Sequence, residues 1–167
     1  MTYQIQSNFS ENFKIISNTN VSKQSLTTSY EVASGSEISY VPSISSSFVI
    51  YHYSVGLFAD TGSSGEKNAT FKLQYSDDGG ENWSDWGDNT EVFLHSAGTI
   101  VRIRSVIDIK FCISTNSWST NKSLRLVVLE DSGSDTALHQ WDQSFLDDSS
   151  SYSNQKYFPS ISCYSVA

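Results

Sequence analysis

The stretch "FVIYHYSVGLF", residues 48–58, decides the fold. Its side chains follow period two, the spacing of a β-strand, in which successive residues point to opposite faces. Val49, Tyr51, Tyr53, Val55 and Leu57 share one face. Phe48, Ile50, His52 and Phe58 make much of the other face apolar as well. A strand apolar on both sides is covered by protein on both faces or packed at an interface. Val49, Tyr51, Tyr53, Val55 and Leu57 are therefore expected in a core or a subunit interface.

Further along the chain, "TIVRIRSVIDIKFCI", residues 99–113, alternates over a longer run. Val101, Ile103, Ile107, Ile109, Phe111 and Ile113 fall on one face, and Arg102, Arg104, Asp108 and Lys110 on the other. That pattern predicts a long half-buried strand, with a bend at Ser105. Strand-like runs also occur in "QSLTTSYEVA", "SEISYVP", "ATFKLQY", "NTEVFLH", "KSLRLVVLE", "ALHQWDQSFL" and "KYFPSISCYSVA". Turn-forming clusters such as "DTGSSGEKN", "DDGG", "SAG", "DSGSD" and "DDSSS" separate them. Many short strands and almost no helical period predict an all-β chain: an antiparallel β-sandwich of the jelly-roll kind. Residues 1–20 read as an N-terminal arm or edge strand, and residues 21–167 as a single domain.

Composition narrows the function classes. A chain of 167 residues is long enough for a real hydrophobic core without disulfides. Aromatic residues make up 13%, so large rings supply much of that core. The net charge of −8 repels a phosphate backbone, which argues against nucleic acid as a partner. Arg102, Arg104 and Lys110 read as the solvated face of their strand. No apolar run approaches the roughly 20 residues of a membrane helix, so no membrane partner is expected. The start "MTYQIQSNFSENFKII" lacks the basic and apolar regions of a signal peptide, which predicts synthesis in the cytosol. In that compartment Cys112 and Cys163 are expected as buried free thiols. The Asn-x-Ser/Thr triplets at Asn8, Asn20, Asn68, Asn82 and Asn121 then reflect an Asn- and Ser-rich composition.

Chemistry concentrates in "YSDDGGENWSDW", residues 75–86. Asp77, Asp78, Glu81, Asp85 and, just beyond, Asp88 are hard oxygen donors suited to Ca²⁺, but the EF-hand spacing is not met. Tryptophans also suit a sugar ring, a reading that rests on Trp83, Trp86, Trp118 and Trp141. Asp77, Asp78, Asp85, Trp83 and Trp86 are thus the candidates for a glycan or calcium loop. Ser76, Asp78, Gly80 and Trp83 carry the spacing S-x-D-x-G-x-T-W, with Asn82 in place of the Thr. This resembles the Asp-box of sialidase-like proteins, a hairpin corner remote from that family's catalysis. The resemblance implies a turn: the Asp accepts backbone N–H groups, glycines supply positive φ, and the Trp folds over the base. The catalytic residues of sialidases are not recognisable in the chain. His52, His95 and His139 form no local metal-ligand spacing, and no G-x-S-x-G elbow or P-loop occurs. No enzyme, catalytic residue, resident metal or cofactor is expected.

Residues 26–58, "LTTSYEVASGSEISYVPSISSSFVIYHYSVGLF", carry a broader likeness. Their pattern resembles small β-structured virion proteins of tailed bacteriophages, particularly marine cyanophages. These include jelly-roll domains of capsid decoration proteins, tail appendages and fibre heads. The resemblance implies that Tyr40-Val41-Pro42 ends one strand, that Ser43 to Ser47 turns the chain, and that the aromatic strand then enters the core. It also implies a homo-oligomer, with a trimer favoured, in the virion after synthesis in the host cytoplasm. The expected role is that of a noncatalytic capsid decoration (cement) protein bound to the major capsid protein. The alternatives are contact with a tail protein, or a tail-fibre or receptor-binding domain that takes a host surface glycan.

Overall fold

A computed structural model describes residues 11–15, 23–61, 65–87, 90–96, 101–116, 118–130, 136–138 and 159–166. Side chains are described for these except at 11–15, 60–61, 65–67, 90–96 and 101–104. Twelve strands occur among them, and no helix: β1 Glu11–Ile15, β2 Gln24–Ser25, β3 Glu31–Val32, β4 Ile38–Tyr40, β5 Phe48–Thr61, β6 Gly65–Ser76, β7 Ser84–Asp85, β8 Thr90–Ser96, β9 Val101–Ser114, β10 Lys122–Glu130, β11 Thr136–Leu138 and β12 Ser160–Val166. All pairings are antiparallel.

The strands form two sheets. In the first, β5 is central, with β9 along one side and β12 and β11 end to end along the other. Beyond these, β1 pairs with β12 and β2 with β11. In the second, β10 and β6 lie side by side. The short strands β3 and β4 share the outer flank of β10, while β7 and β8 share that of β6. Counting end-to-end pairs as one row, each sheet has four rows. Numbered in chain order, they read 1-8-3-6 in the first sheet and 2-7-4-5 in the second. That is the jelly-roll order, in which the chain winds alternately between two sheets.

The central strand explains the winding. Val49, Tyr51, Tyr53, Val55 and Leu57 are all buried on its inner face. They meet Phe71 and Leu73 of β6, Leu124, Leu126 and Val128 of β10, Ile109 of β9 and Ile161 of β12 in one cluster. Three tyrosines hydrogen-bond across this core. Tyr51 donates its hydroxyl to the Ser36 carbonyl at 2.5 Å, and Tyr53 donates to the Ser34 carbonyl at 2.8 Å. Tyr40 of the second sheet lies 2.6 Å from the Ser165 hydroxyl of the first. Each ring contributes its apolar area while its hydroxyl finds a partner, as burial of tyrosine demands.

Several expectations change. The run "QSLTTSYEVA" is two strands, not one: β2 joins the first sheet and β3 the second. The ladder register slips between Val32↔Val127 and Ile38↔Leu124. Gly35, at φ +80°, lets the chain bulge there; the Leu126 carbonyl still accepts the Ala33 N–H at 2.9 Å, and the Ser36 hydroxyl bridges the offset. It accepts the Leu126 N–H at 3.0 Å and donates to the Leu126 carbonyl at 3.2 Å. At Ser105 the β5–β9 register runs unbroken from Phe48↔Ser114 to Thr61↔Val101, so no residue is inserted at the expected bend. Cys163 is buried, whereas Cys112 is exposed, because Cys112 shares the outward parity of Asp108 and Lys110. Both thiols are free. Within residues 1–20, Glu11–Ile15 is an edge strand of the first sheet. The loops at 131–135 and 147–154 lie outside the described residues.

Candidate functional site

Three connections meet at one end of the sandwich: residues 41–47, 77–83 and 115–121. Their flanking strands fix them there, since Tyr40 pairs with Lys122, Ser76 with Ser123, and Phe48 with both Ser114 and Val166. The end of β12 closes the same region. Ser47 donates its N–H to the Val166 carbonyl at 2.8 Å, and Ser43 donates its N–H to the Ser165 hydroxyl at 3.1 Å.

The 77–83 turn is the acidic hairpin. Asp78 Oδ1 accepts the N–H groups of Glu81 and Asn82, each at 3.0 Å, and the Ser76 hydroxyl at 2.6 Å. Its Oδ2 accepts the Asn82 side-chain amide at 2.7 Å. The Asn82 N–H, then the Ser76 hydroxyl and the Asn82 amide, hold this carboxyl far below the usual range. Gly79 and Gly80 take φ +80° and +101°. Trp83 folds back, donating its indole N–H to the Gly80 carbonyl at 2.9 Å. The Asn82 that replaces the motif's Thr therefore supplies both a backbone and a side-chain donor to Asp78.

The remaining candidates point to separate partners. Asp77 pairs with Lys122. Asp85 accepts the Gln74 amide at 2.8 Å and faces Lys72 at 3.4 Å; the Gln74 bond, with Lys72 in support, lowers its carboxyl. Among the described residues no three His, Cys, Asp or Glu side chains converge as metal ligands. Asp88 lies outside the described residues. Trp83 and Trp86 also part company. Trp83 has the Arg125 guanidinium over its ring, 3.9 Å from the centroid. Trp86 turns the other way, 4.6 Å from the Tyr75 centroid and 5.2 Å from that of Trp118. Trp118 then meets Tyr40 edge-on at 6.0 Å. This aromatic ladder plugs the end of the core and ties the three connections together. Trp141 lies outside the described residues.

Beside the ladder lies a groove of about 560 Å³. Val41, Pro42, Ile44, Thr115, Asn116 and Trp118 line it. Trp118 is buried, Val41 is 45% exposed, and Ile44 stands fully exposed at the rim. The Thr115 hydroxyl donates to the Ser46 carbonyl at 2.5 Å, and the Trp118 N–H to the Thr115 carbonyl at 2.9 Å, so both walls are hydrogen-bonded. The sequence places Val41 and Pro42 at a strand end, Ile44 in a turn and Trp118 among the tryptophans suited to a sugar ring, but it does not bring them together as a groove. The available signal was a lack of charge: neither residues 38–59 nor residues 111–121 contain Asp, Glu, Lys or Arg.

The outward face of the first sheet is the other distinctive surface. Phe48 and Val106 are each 45% exposed there, Ile50 is half-buried, and Ile50 stands opposite exposed Cys112. His52 Nε2 donates to Asp108 Oδ1 at 3.0 Å. That bond, assisted by the Ser54 hydroxyl, lowers the Asp108 carboxyl.

No family model matches the sequence, and no curated protein does. Among solved structures the chain is similar to the crystal structure of the infectious bursal disease virus VP2 subviral particle. The TM-score is 0.32 and the identity 16%, over 96% of this chain and 38% of that one. The chain thus spans well under half the length of this neighbour. Among the described residues no helix is long and apolar enough to cross a membrane.

Proposed function

We propose that the chain is a noncatalytic structural subunit of a virion. In the finer reading it is a capsid decoration protein of a tailed bacteriophage. The observation that carries this is where side-chain chemistry is spent and where it is left open. Three of the hairpin's carboxylates are engaged within the fold, Asp78 by four donors, Asp77 by Lys122 and Asp85 by Gln74 and Lys72. Apolar groups face outward instead: Phe48, Ile50 and Val106 on the first sheet, Val41 and Ile44 at its end. Such a surface suits adhesion to protein, repeated by symmetry to give avidity. The resemblance of residues 26–58 to small phage virion proteins supports the finer reading.

Glycan recognition at the hairpin is the weaker reading. A sugar ring needs an open aromatic face, while Arg125 covers one face of Trp83 and Tyr75 and Trp118 flank Trp86. Incubation of the purified chain with particles lacking it separates the two. Saturable, regularly spaced binding to capsids supports the decoration reading. Binding to host polysaccharide alone, lost in Trp83→Ala, sinks it.

A further inference from the structure

Asp78 and Gly79 form the one Asp-Gly pair in the chain, and such a pair has a covalent reaction of its own. The backbone nitrogen of the glycine can attack the side-chain carboxyl before it. A bond forms from that nitrogen to Cγ, the nitrogen gives up its proton, and the hydroxyl of the protonated carboxyl leaves with it as water. The product is a succinimide. Water then opens the ring at either carbonyl. One opening restores aspartate, and the other routes the main chain through Cβ and Cγ as isoaspartate. One water leaves and one returns, so solvent is the sole co-reactant. Glycine favours the attack because no Cβ shields its nitrogen or restricts its backbone.

Packing does nothing to stop this reaction. Asp78 and Gly79 are both exposed, and a Cβ at Gly79 would meet nothing within 4 Å. The hydrogen bonds of the turn oppose it instead. Attack requires Cγ to swing into line with the Gly79 nitrogen. The carboxylate is turned to residues further along: Oδ1 accepts the Glu81 and Asn82 N–H groups, each at 3.0 Å, and Oδ2 the Asn82 amide at 2.7 Å. The Ser76 hydroxyl, at 2.6 Å from Oδ1, holds it from behind. The N–H groups of Asp78, Gly80, Glu81 and Asn82 all donate to Ser76 Oγ or Asp78 Oδ1, and that of Gly79 is not among these donors. The nucleophile is thus left out of the network and the electrophile is tied into it. The same donors, the Asn82 N–H foremost, keep the carboxyl ionised, and the ionised form has no hydroxyl to lose.

We propose that Asp78–Gly79 is a latent site of spontaneous isoaspartate formation, and that the donors from Ser76, Glu81 and Asn82 hold it unreactive in the folded chain. Isoaspartate would lengthen the turn by a main-chain carbon and move the carboxylate off the Glu81 and Asn82 N–H groups, so a converted hairpin loses the bonds that protected it. The hairpin network then has a chemical task besides shaping the turn. This inference does not depend on the virion reading, because it concerns the isolated chain.

Peptide mapping by mass spectrometry, with fragmentation that distinguishes isoaspartate from aspartate, tests it. The full chain is aged at neutral pH, folded in buffer and unfolded in guanidinium chloride. Isoaspartate at residue 78 is expected to accumulate about tenfold more slowly or better in the folded chain, the factor that one hydrogen bond to a charged group supplies. Ser76→Ala and Asn82→Ala each remove a side-chain donor from Asp78 and should raise the folded rate severalfold while the circular-dichroism spectrum stays native. Gly79→Ala should lower the rate in guanidinium chloride, which identifies the attacking nitrogen. Equal rates in the folded and unfolded chain overturn the proposal, as does the absence of isoaspartate at residue 78 in the unfolded chain. A slow folded rate that neither Ser76→Ala nor Asn82→Ala raises overturns it too, because the protection then lies outside these bonds. Where one variant loses the native spectrum, the other variant and the wild-type comparison decide.

Discussion

The Tyr51 hydroxyl donates to the Ser36 carbonyl at 2.5 Å across the interior of the sandwich, joining the central strand of one sheet to the bulge that offsets the flank of the other. Burial, followed by neighbouring Tyr53 and Cys163, raises this phenol well above its ordinary range. Tyr51→Phe leaves the carbonyl without this donor and is expected to cost about 1–3 kcal/mol in urea unfolding. The pH dependence has a definite sign. A folded pKa raised above the unfolded value of roughly 10 stabilises the fold fully below that value, and the contribution is lost as pH rises beyond it. Alkaline spectrophotometric titration of the native chain should therefore leave the Tyr51 phenol un-ionised until unfolding begins. Tyr51 ionisation in the intact fold would refute this account of the bond.

At the hairpin the sign is reversed. Asp78 is held low by the Asn82 N–H first and the Ser76 hydroxyl second, so its contribution is present above the unfolded carboxyl value of roughly 3.9. It is lost as pH falls below that value toward the lowered folded one. Amide exchange at Glu81 and Asn82, corrected for intrinsic rates, should show constant protection from neutral pH to about pH 5 and a decline in stronger acid. Asp78→Ala should remove that protection at neutral pH while the β10–β6 ladder stays protected. Equal loss along the ladder would make the hairpin part of the cooperative core.

The two turn glycines give a graded comparison. Both have positive φ, +80° at Gly79 and +101° at Gly80, where a side chain strains the backbone. A Cβ at Gly79 meets nothing within 4 Å, whereas one at Gly80 stands 3.4 Å from the Trp83 ring. Alanine at either position is expected to cost about 1–2 kcal/mol from conformation alone. Gly80→Ala should be the worse of the pair, because φ +101° lies farther from the left-handed well than +80°, and its van der Waals contact should shift Trp83 fluorescence. Equal costs in urea unfolding would refute the ranking.

The parts of this fold that could be read from sequence are those where one physical signal dominates. Residues 48–58 alternate without interruption because a single strand is buried along its whole inner face. The Asp78 hairpin was legible because its bonds are local, all between residues 76 and 83. What stayed hidden depends on distant partners. The division of residues 24–33 between two sheets follows from pairing with β11 and β10, which lie about a hundred residues away. Trp118 sits in the polar run "STNSWSTN", which has no period, and only its contacts with Tyr40 and Trp86 make it a plug. The groove at the same end left only a negative trace, two stretches without charge.

The two cysteines test the parity of β9 and β12. Cys112 follows the outward residues Asp108 and Lys110 and is exposed. Cys163 stands opposite Tyr51 on the inner face, and burial pushes its thiol up to about 12. Thiolate is the reactive form, so at neutral pH a disulfide reagent should modify one thiol per native chain quickly and the second only on unfolding. Cys112→Ser should abolish the fast phase, and Cys163→Ser should leave it unchanged. Since Cys112 is opposite Ile50 on the outward face of the first sheet, the same reaction reports on that surface. Binding to a particle through this face should slow the fast phase, and binding through the opposite sheet should not. A fast phase that survives Cys112→Ser would mean that the inner face at Cys163 opens on the reagent's timescale, contrary to the packing around Tyr51.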